Sequence, residues 1–295
     1  KRFASVPIVG FTATPQRPGL LNLYDLAIPV ESDLAKRMTL SAMTKAGWLK
    51  PVVHEFVRCP GWKPSLLNVH RGDGEFTDQQ LNAQFEGAEG QRRLGSVIRA
   101  VRVRLHERPG PALVYAPNVV AGRAISNWLS TSMSVEDQEE QTATWREAGK
   151  SPEWIAEWLP KVSRPIRAAY LDGDTPKDPR RITLNRLRQN GIDHSTGIQC
   201  VVSVMIFTEG INVDDLRTVA MFRATALEHL YMQVFGRATR PPSRIKNLLG
   251  GCANREERLA LYGPADGAVF LQMVPLKPTL DFVTPLSLHA RADPE

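Results

Sequence analysis

Gln233, Arg237 and Arg240 stand in the stretch QVFGRATR (233–240), one amide and two guanidinium groups at intervals of four and three residues. On a helix, positions i, i+4 and i+7 fall within a narrow arc of one face, so the three side chains would converge on a common point. Guanidinium groups are planar, always charged and matched to phosphoryl oxygens, which makes a polyanionic phosphate the natural object of such a face. Two arginines on a helix are also what an ordinary solvated surface carries, and on this stretch alone that plainer reading stands ahead.

The elements around the stretch must therefore be read. Thr225-Ala-Leu-Glu228 has the form of a capping box, which starts a helix near Ala226. Leu227, Leu230, Tyr231 and Val234 then form a packing stripe from which Gln233, Arg237 and Arg240 stand apart, and Pro241-Pro242 ends the element.

The chain of 295 residues is long enough for one large or two modest domains. Its 42% hydrophobic and 23% charged residues are those of a globular protein, and no apolar run approaches a bilayer span, so no membrane partner is expected. A net charge of +6 gives weak support to a polyanionic partner. Cys59, Cys200 and Cys252 are odd in number and far apart, without a C-x-x-C pair, which points to a reducing, cytoplasmic compartment. The opening KRFASVPIVGFTATP lacks the pattern of a secretory leader and has no initiator Met, so an upstream part is expected.

Along the chain, VPIVGFTAT reads as a buried strand without a sheet of its own. A helix capped at Ser32 or Asp33 runs to about Lys45, PVVHEFV alternates like a strand, and a helix from about Asp78 to Glu107 is broken near Gly87–Gly90. Apolar runs then recur at 112–116, 167–171, 198–205 and 217–222, with a last strand at 267–274. Continuous apolar strands separated by crossovers predict an α/β fold, a parallel sheet with helices on both faces. Asp178-Pro179 reads as an N-cap with Pro at the first helical position, and Asn190-Gly191 as that helix's end. Residues 131–165 exceed a simple crossover and predict an insert of two helices parted by Gly149, the second capped by Ser151-Pro152 and burying Trp154, Ile155, Trp158 and Leu159. Within it AGKS (148–151) imitates the end of a phosphate-binding loop, but a polar helical stretch precedes it instead of a buried strand, so a helix boundary is the better reading. No magnesium–phosphate site and no metal site are predicted within the chain.

Four stretches, in order, resemble motifs of superfamily-2 helicases of the DEAD/DEAH-box type: GFTATP (10–15) motif III, ALVYAPNV (112–119) motif IV, VMIFTEGINVDDLRTV (204–219) motif V and QVFGRATR motif VI. The spacers AAYLDGDTPKDPRR and MFRATALEHLYMQ look like those of phage- and restriction-type members. The resemblance implies two RecA-like domains. Residues 1–32 would be the end of the first domain and a linker, and 33–295 the second domain with its insert. Motifs I and II, which bind ATP and Mg2+, would lie in the upstream domain.

By the same resemblance Arg237 and Arg240 reach the γ-phosphate across the cleft and Gln233 orders water or nucleotide. Glu209, Gly210 and Asp214 lie near the nucleotide or the motif VI arginines. Thr208 contacts a nucleic-acid phosphate, with Tyr115 and Asn118 as weaker candidates at a strand's carboxyl end. Thr12, Ala13 and Thr14 couple ATP state to closure. The implied activity is ATP-driven movement on nucleic acid, with DNA favoured over RNA. The rival reading is a RecA-like module that binds nucleic acid without hydrolysis.

Overall fold

A computed structural model describes residues 40–59, 76–189, 197–204, 213–223, 225 and 228–275. Its frame is set by strands whose alternate residues are apolar on both sides. In β2 (Ala112–Tyr115), Ala112 and Val114 enter one core while Leu113 and Tyr115 enter another. Cys200 and Val202 of β4 (Cys200–Ser203) and Ala220 of β5 (Thr218–Met221) join the first core; Val201, Val219 and Met221 join the second. A strand apolar on both faces must be covered on both, at about 1.5–3 kcal/mol for each large side chain fully buried.

Among the described residues six strands form one sheet in the order β1-β6-β5-β2-β4-β3, with every pairing parallel. The edges are β1 (Val52–Cys59) and β3 (Ala168–Leu171), and β6 (Ala268–Pro275) lies between β1 and β5. This bears out the expected α/β fold, a parallel sheet with helices on both faces, and places PVVHEFV, whose sheet the sequence leaves open, beside β6.

Helix α1 (Leu40–Lys45) ends at Gly47, whose φ of 77° is in the left-handed region that glycine enters freely. The expected break near Gly87 separates α2 (Asp78–Ala83) from α3 (Gly87–Glu107), and Thr77 and Gln80 form a capping box on α2. Helix α3 and α4 (Val119–Ser130) cover the first face; α7 (Lys177–Gln189) and α8 (Glu228–Ala238) cover the second. Helix α7 begins one residue before Asp178, so Asp178-Pro179 lies in its first turn, where Pro needs no intrahelical donor. Short helices α9 (Ser243–Leu249) and α10 (Arg255–Ala260) lead into β6.

The insert contains α5 (Val135–Glu147) and α6 (Pro152–Val162), the second capped by the Ser151 side chain with Pro152 in its first turn. Its packing differs from the expectation. Ile155 and Val162 are buried, and the enclosed indole is Trp145 of α5, while Trp154, Trp158 and Leu159 are half-buried against that cluster. Trp154 packs edge-on to Trp145 and stacks on Trp158, which keeps both rings at the rim. Two arginines of α3 tie the insert down: Arg99 pairs with Asp137 and Glu140, and buried Arg102 donates to carbonyls at the ends of α4 and α6. The strand expected at VPIVGFTAT and the helix end at Asn190-Gly191 lie outside the described residues.

Candidate functional site

Helix α8 covers β5 and β6 through Leu230, Tyr231, Val234 and Ala238, all buried. Phe235 stacks on Tyr231 at 5.9 Å and meets Phe270 of β6 edge-on at 5.1 Å. That stripe turns Gln233, Gly236 and Arg237 away from the aromatic contacts, and a Cβ built on Gly236 meets nothing within 4 Å among the described residues. Leu227 and Ala226 lie outside the described residues, so the expected capping box is not described as a whole; Thr225 is buried.

The helix stops at Ala238, and Arg240 is carried by the segment after it. A residue before proline is pushed out of the helical region, and Pro241 has no N–H to continue the ladder. Pro242 is the N-cap position of α9, and the Thr239 hydroxyl donates to Gly236 O at 3.0 Å. The even spacing of Gln233, Arg237 and Arg240 on one helical arc is thus corrected: two are helical, the third is set by the turn.

Arg237 and Arg240 are nonetheless neighbours. Burial lowers the pKa of Arg240, the Arg237 charge lowers it further, and the Asp214 carboxylate and the Tyr115 hydroxyl oppose this. Burial raises the Tyr115 hydroxyl well above its ordinary range against the pull of the same two arginines. Four of the candidate residues therefore share one electrostatic environment. Two like charges held together at 8% exposure for Arg237 and partial exposure for Arg240 form a place where an anion relieves repulsion.

Asp214 accepts from Ser243 Oγ at 3.2 Å and lies 4.0 Å from Lys246 Nζ, which fixes it beside the start of α9. Asp215 next to it has φ of 65°, a tight turn into β5. Thr208, Glu209 and Gly210, with Thr12, Ala13 and Thr14, lie outside the described residues.

At the other end of the sheet, Asn118 follows β2. Its Oδ1 accepts from Ala121 N at 2.7 Å as the N-cap of α4, and its Nδ2 donates to Asn82 Oδ1 at 2.6 Å. It borders a cavity of 640 Å3 that is also lined by Asn82, Gln91, Val204 and Arg223. Tyr115 is 4% exposed and belongs to the core, so the strand contact expected of it gives way to packing.

AGKS proves to be a helix boundary: Gly149 has φ of 74°, Lys150 lies over the Trp154 ring at 4.8 Å and Ser151 caps α6. Among the described residues no group of three or more His, Cys, Asp or Glu is placed to hold a metal ion, and no helix is long and apolar enough to cross a membrane.

Sequence reasoning missed an ionic cluster beside the arginines, made of buried Lys50 and Asp266, partly buried Asp215 and Arg217, and exposed Arg244. Arg217 Nη2 is 3.0 Å from Asp215 and 3.6 Å from Asp266, and Arg244 also pairs with Asp266. One signal was available: in a parallel sheet the residues just before β1, β5 and β6 share one end, which is where Lys50, Asp215 and Asp266 fall.

Residues 128–242 match the family model of the helicase conserved C-terminal domain. The match spans Asp214, Gln233, Arg237 and Arg240 and leaves out Tyr115 and Asn118. Among solved structures, the E. coli DEAD-box protein SrmB, bound to regulator of ribonuclease activity A, is 17% identical, with 61% of this chain and 72% of that one covered and a TM-score of 0.34. A DEAD-box protein from Methanococcus jannaschii is 15% identical, covering 66% of this chain and 36% of its own, with a TM-score of 0.33. T4 UvsW is 13% identical, covering 76% and 32%, with a TM-score of 0.38. This chain thus spans about a third of the length of the last two. A search of curated proteins gives no match.

Proposed function

We propose that this chain, whose residues 128–242 match the model of the helicase conserved C-terminal domain, is the carboxyl-terminal part of an ATP-dependent helicase or translocase acting on nucleic acid. In this reading residues 33–295 are the second RecA-like domain, and 1–32, with Thr12, Ala13 and Thr14, end the first and couple it to the second. The observation that carries it is the pair Arg237 and Arg240 at the end of α8, each within reach of the other's charge, inside the matched segment. DNA is favoured over RNA on the spacers' resemblance to phage- and restriction-type members, and a cytoplasmic location on the cysteine pattern.

ATP with Mg2+ would be held mainly by an upstream RecA-like domain, and the arginine pair fits the phosphate end of that nucleotide by charge. As the γ-phosphoryl group transfers, charge spreads over its oxygens, and two planar cations brought in from a second body stabilise it only when the cleft is closed. Gln233, one turn before Arg237 on α8 and half-buried, orders the attacking water or the nucleotide. Asp214 steers Arg240 by its charge, and Glu209 and Gly210 complete the nucleotide side. Nucleic acid runs past the carboxyl end of β2, where Asn118 contacts its backbone, with Thr208 as a further phosphate contact.

The test is steady-state ATP turnover beside nucleotide binding. Alone, the chain should not hydrolyse ATP; joined to the upstream domain, it should. There Arg237→Ala or Arg240→Ala should lower turnover by about a hundredfold or more while nucleotide affinity falls far less, and lysine at either position should rescue poorly. Near-parental turnover in both alanine variants would overturn the arginine reading in favour of a module that binds nucleic acid without hydrolysis.

A further inference from the structure

Lys50 precedes β1 and is wholly buried. Nothing in the mechanism above uses it, yet it touches both segments that the mechanism depends on. Its backbone N–H donates to Thr239 O at 2.9 Å, and Thr239 lies between Arg237 and Arg240. Its Nζ donates to Leu216 O, in the turn that carries Asp214 and Asp215. Asp214 in turn acts on Arg240 by charge and accepts from Ser243 of α9. One residue, far from both in sequence, therefore joins the arginine segment to the acidic turn that faces it.

We propose that Lys50 is a positioning residue for ATP turnover: it clamps Thr239 to the 214–216 turn through its main chain and its ammonium, and so sets where Arg240 sits. This rests on the reading of Arg237 and Arg240 as phosphate contacts. Arg240 follows the end of α8, so no helical ladder fixes it, and the Thr239 carbonyl bond is a main-chain anchor beside it. The Leu216 carbonyl is buried, and losing its donor would free the turn to shift.

The ammonium is also conditional. Burial pushes the Lys50 pKa down from 10.5 to about 8. Asp215, Asp266 and Asp214 hold it up, and Arg217 pushes it lower. Arg244 of α9 neutralises part of Asp266. Tyr262, beside Asp266, is raised to about 12 and stays neutral throughout this range. Deprotonation weakens the hold on Leu216, so the clamp loosens at mildly alkaline pH.

The experiment measures ATP turnover of a polypeptide carrying both RecA-like domains from about pH 6.5 to about pH 9.5, with circular dichroism at each pH. The parent should lose kcat above about pH 8 with KM for ATP unchanged and the fold intact. Lys50→Met should lower kcat at neutral pH by roughly tenfold to a hundredfold, as misplacement of a reacting contact does, with KM unchanged and the alkaline limb gone. Asp215→Asn, which suits the left-handed turn, removes a carboxylate that keeps Lys50 charged and should move the limb to lower pH. Parental kcat in Lys50→Met, or a limb that neither variant alters, overturns the proposal. If Lys50→Met does not fold, the parent and Asp215→Asn profiles decide it. Arg237→Ala and Arg240→Ala run beside them: their collapse with an unaffected Lys50→Met sinks the Lys50 inference alone, whereas near-parental arginine variants sink the phosphate reading beneath it.

Discussion

Replacing Arg102 by methionine should destabilise the domain by about 3–5 kcal/mol, the usual cost of removing one partner of a buried charged network. The figure can be built from the contacts. Arg102 is 2% exposed and donates to five carbonyls: Trp128, Leu129 and Thr131 at the end of α4, Val162 and Arg164 at the end of α6. Helix carboxyl ends leave their last carbonyls without intrahelical donors and carry partial negative charge. Two of the five bonds, to Leu129 at 3.3 Å and Val162 at 3.4 Å, are long and count for little. Three remain, each about 1.5–3 kcal/mol for a charged donor, less the desolvation recovered when the charge is removed. Urea denaturation of parent and variant measures the difference, and a fall in the melting midpoint of about 10 °C should accompany it at this domain size. Lysine, with one point of charge for two helix ends, should recover less than half. A loss below about 1 kcal/mol would refute the reasoning. The same contacts tie the insert to the domain: excising 131–165 would strip Arg102 of three carbonyls and Arg99 of both its carboxylates.

Gly236→Ala should raise the stability of the domain by about 0.5–1 kcal/mol, because alanine favours a helix interior and its methyl meets nothing among the described residues, while turnover of the two-domain enzyme falls if phosphate closes on that face; thermal melts and ATPase assays separate the two effects. His54 sits among Phe56, Phe235 and Phe270, and burial pushes its pKa from 6.5 down to about 4 against the Gln272 amide. The unfolded chain therefore binds more protons between those pH values, so this share of stability is complete above pH 6.5 and shrinks as pH falls towards 4, by on the order of 3 kcal/mol in all. Chemical denaturation at pH 7 and pH 5 should show the loss in the parent and a much smaller one in His54→Phe.

The strands were legible in the sequence because a strand buried on both faces is a continuous apolar run, as ALVY and CVVS are. Helix punctuation was legible where it was local, as at Gly87, Ser151 and Gly149. Arg240 was misplaced because the spacing of the motif was extended as a helix through a residue that precedes proline. Nothing local in the sequence marks Arg99 and Arg102 for burial: each stands one position from the apolar stripe of Ile98, Val101 and Leu105, and their partners come from α4, α5 and α6. Lys50 had no local signal at all, since its partners at Leu216 and Thr239 come from the far half of the chain.

The adjacency of β1 and β6 has a consequence for synthesis. These are the first and last of the described strands in chain order, and 208 residues, 60 to 267, separate them. At about 5–20 residues per second a ribosome needs roughly 10–40 s to deliver the second after the first. Over that interval β1, with Val53 and Phe56 exposed even in the finished fold, lacks the strand it pairs with among the described residues, and β5 lacks its neighbour on that side. The nascent chain is thus exposed to edge-to-edge association at the side of the sheet where Lys50 and the arginine segment must later meet.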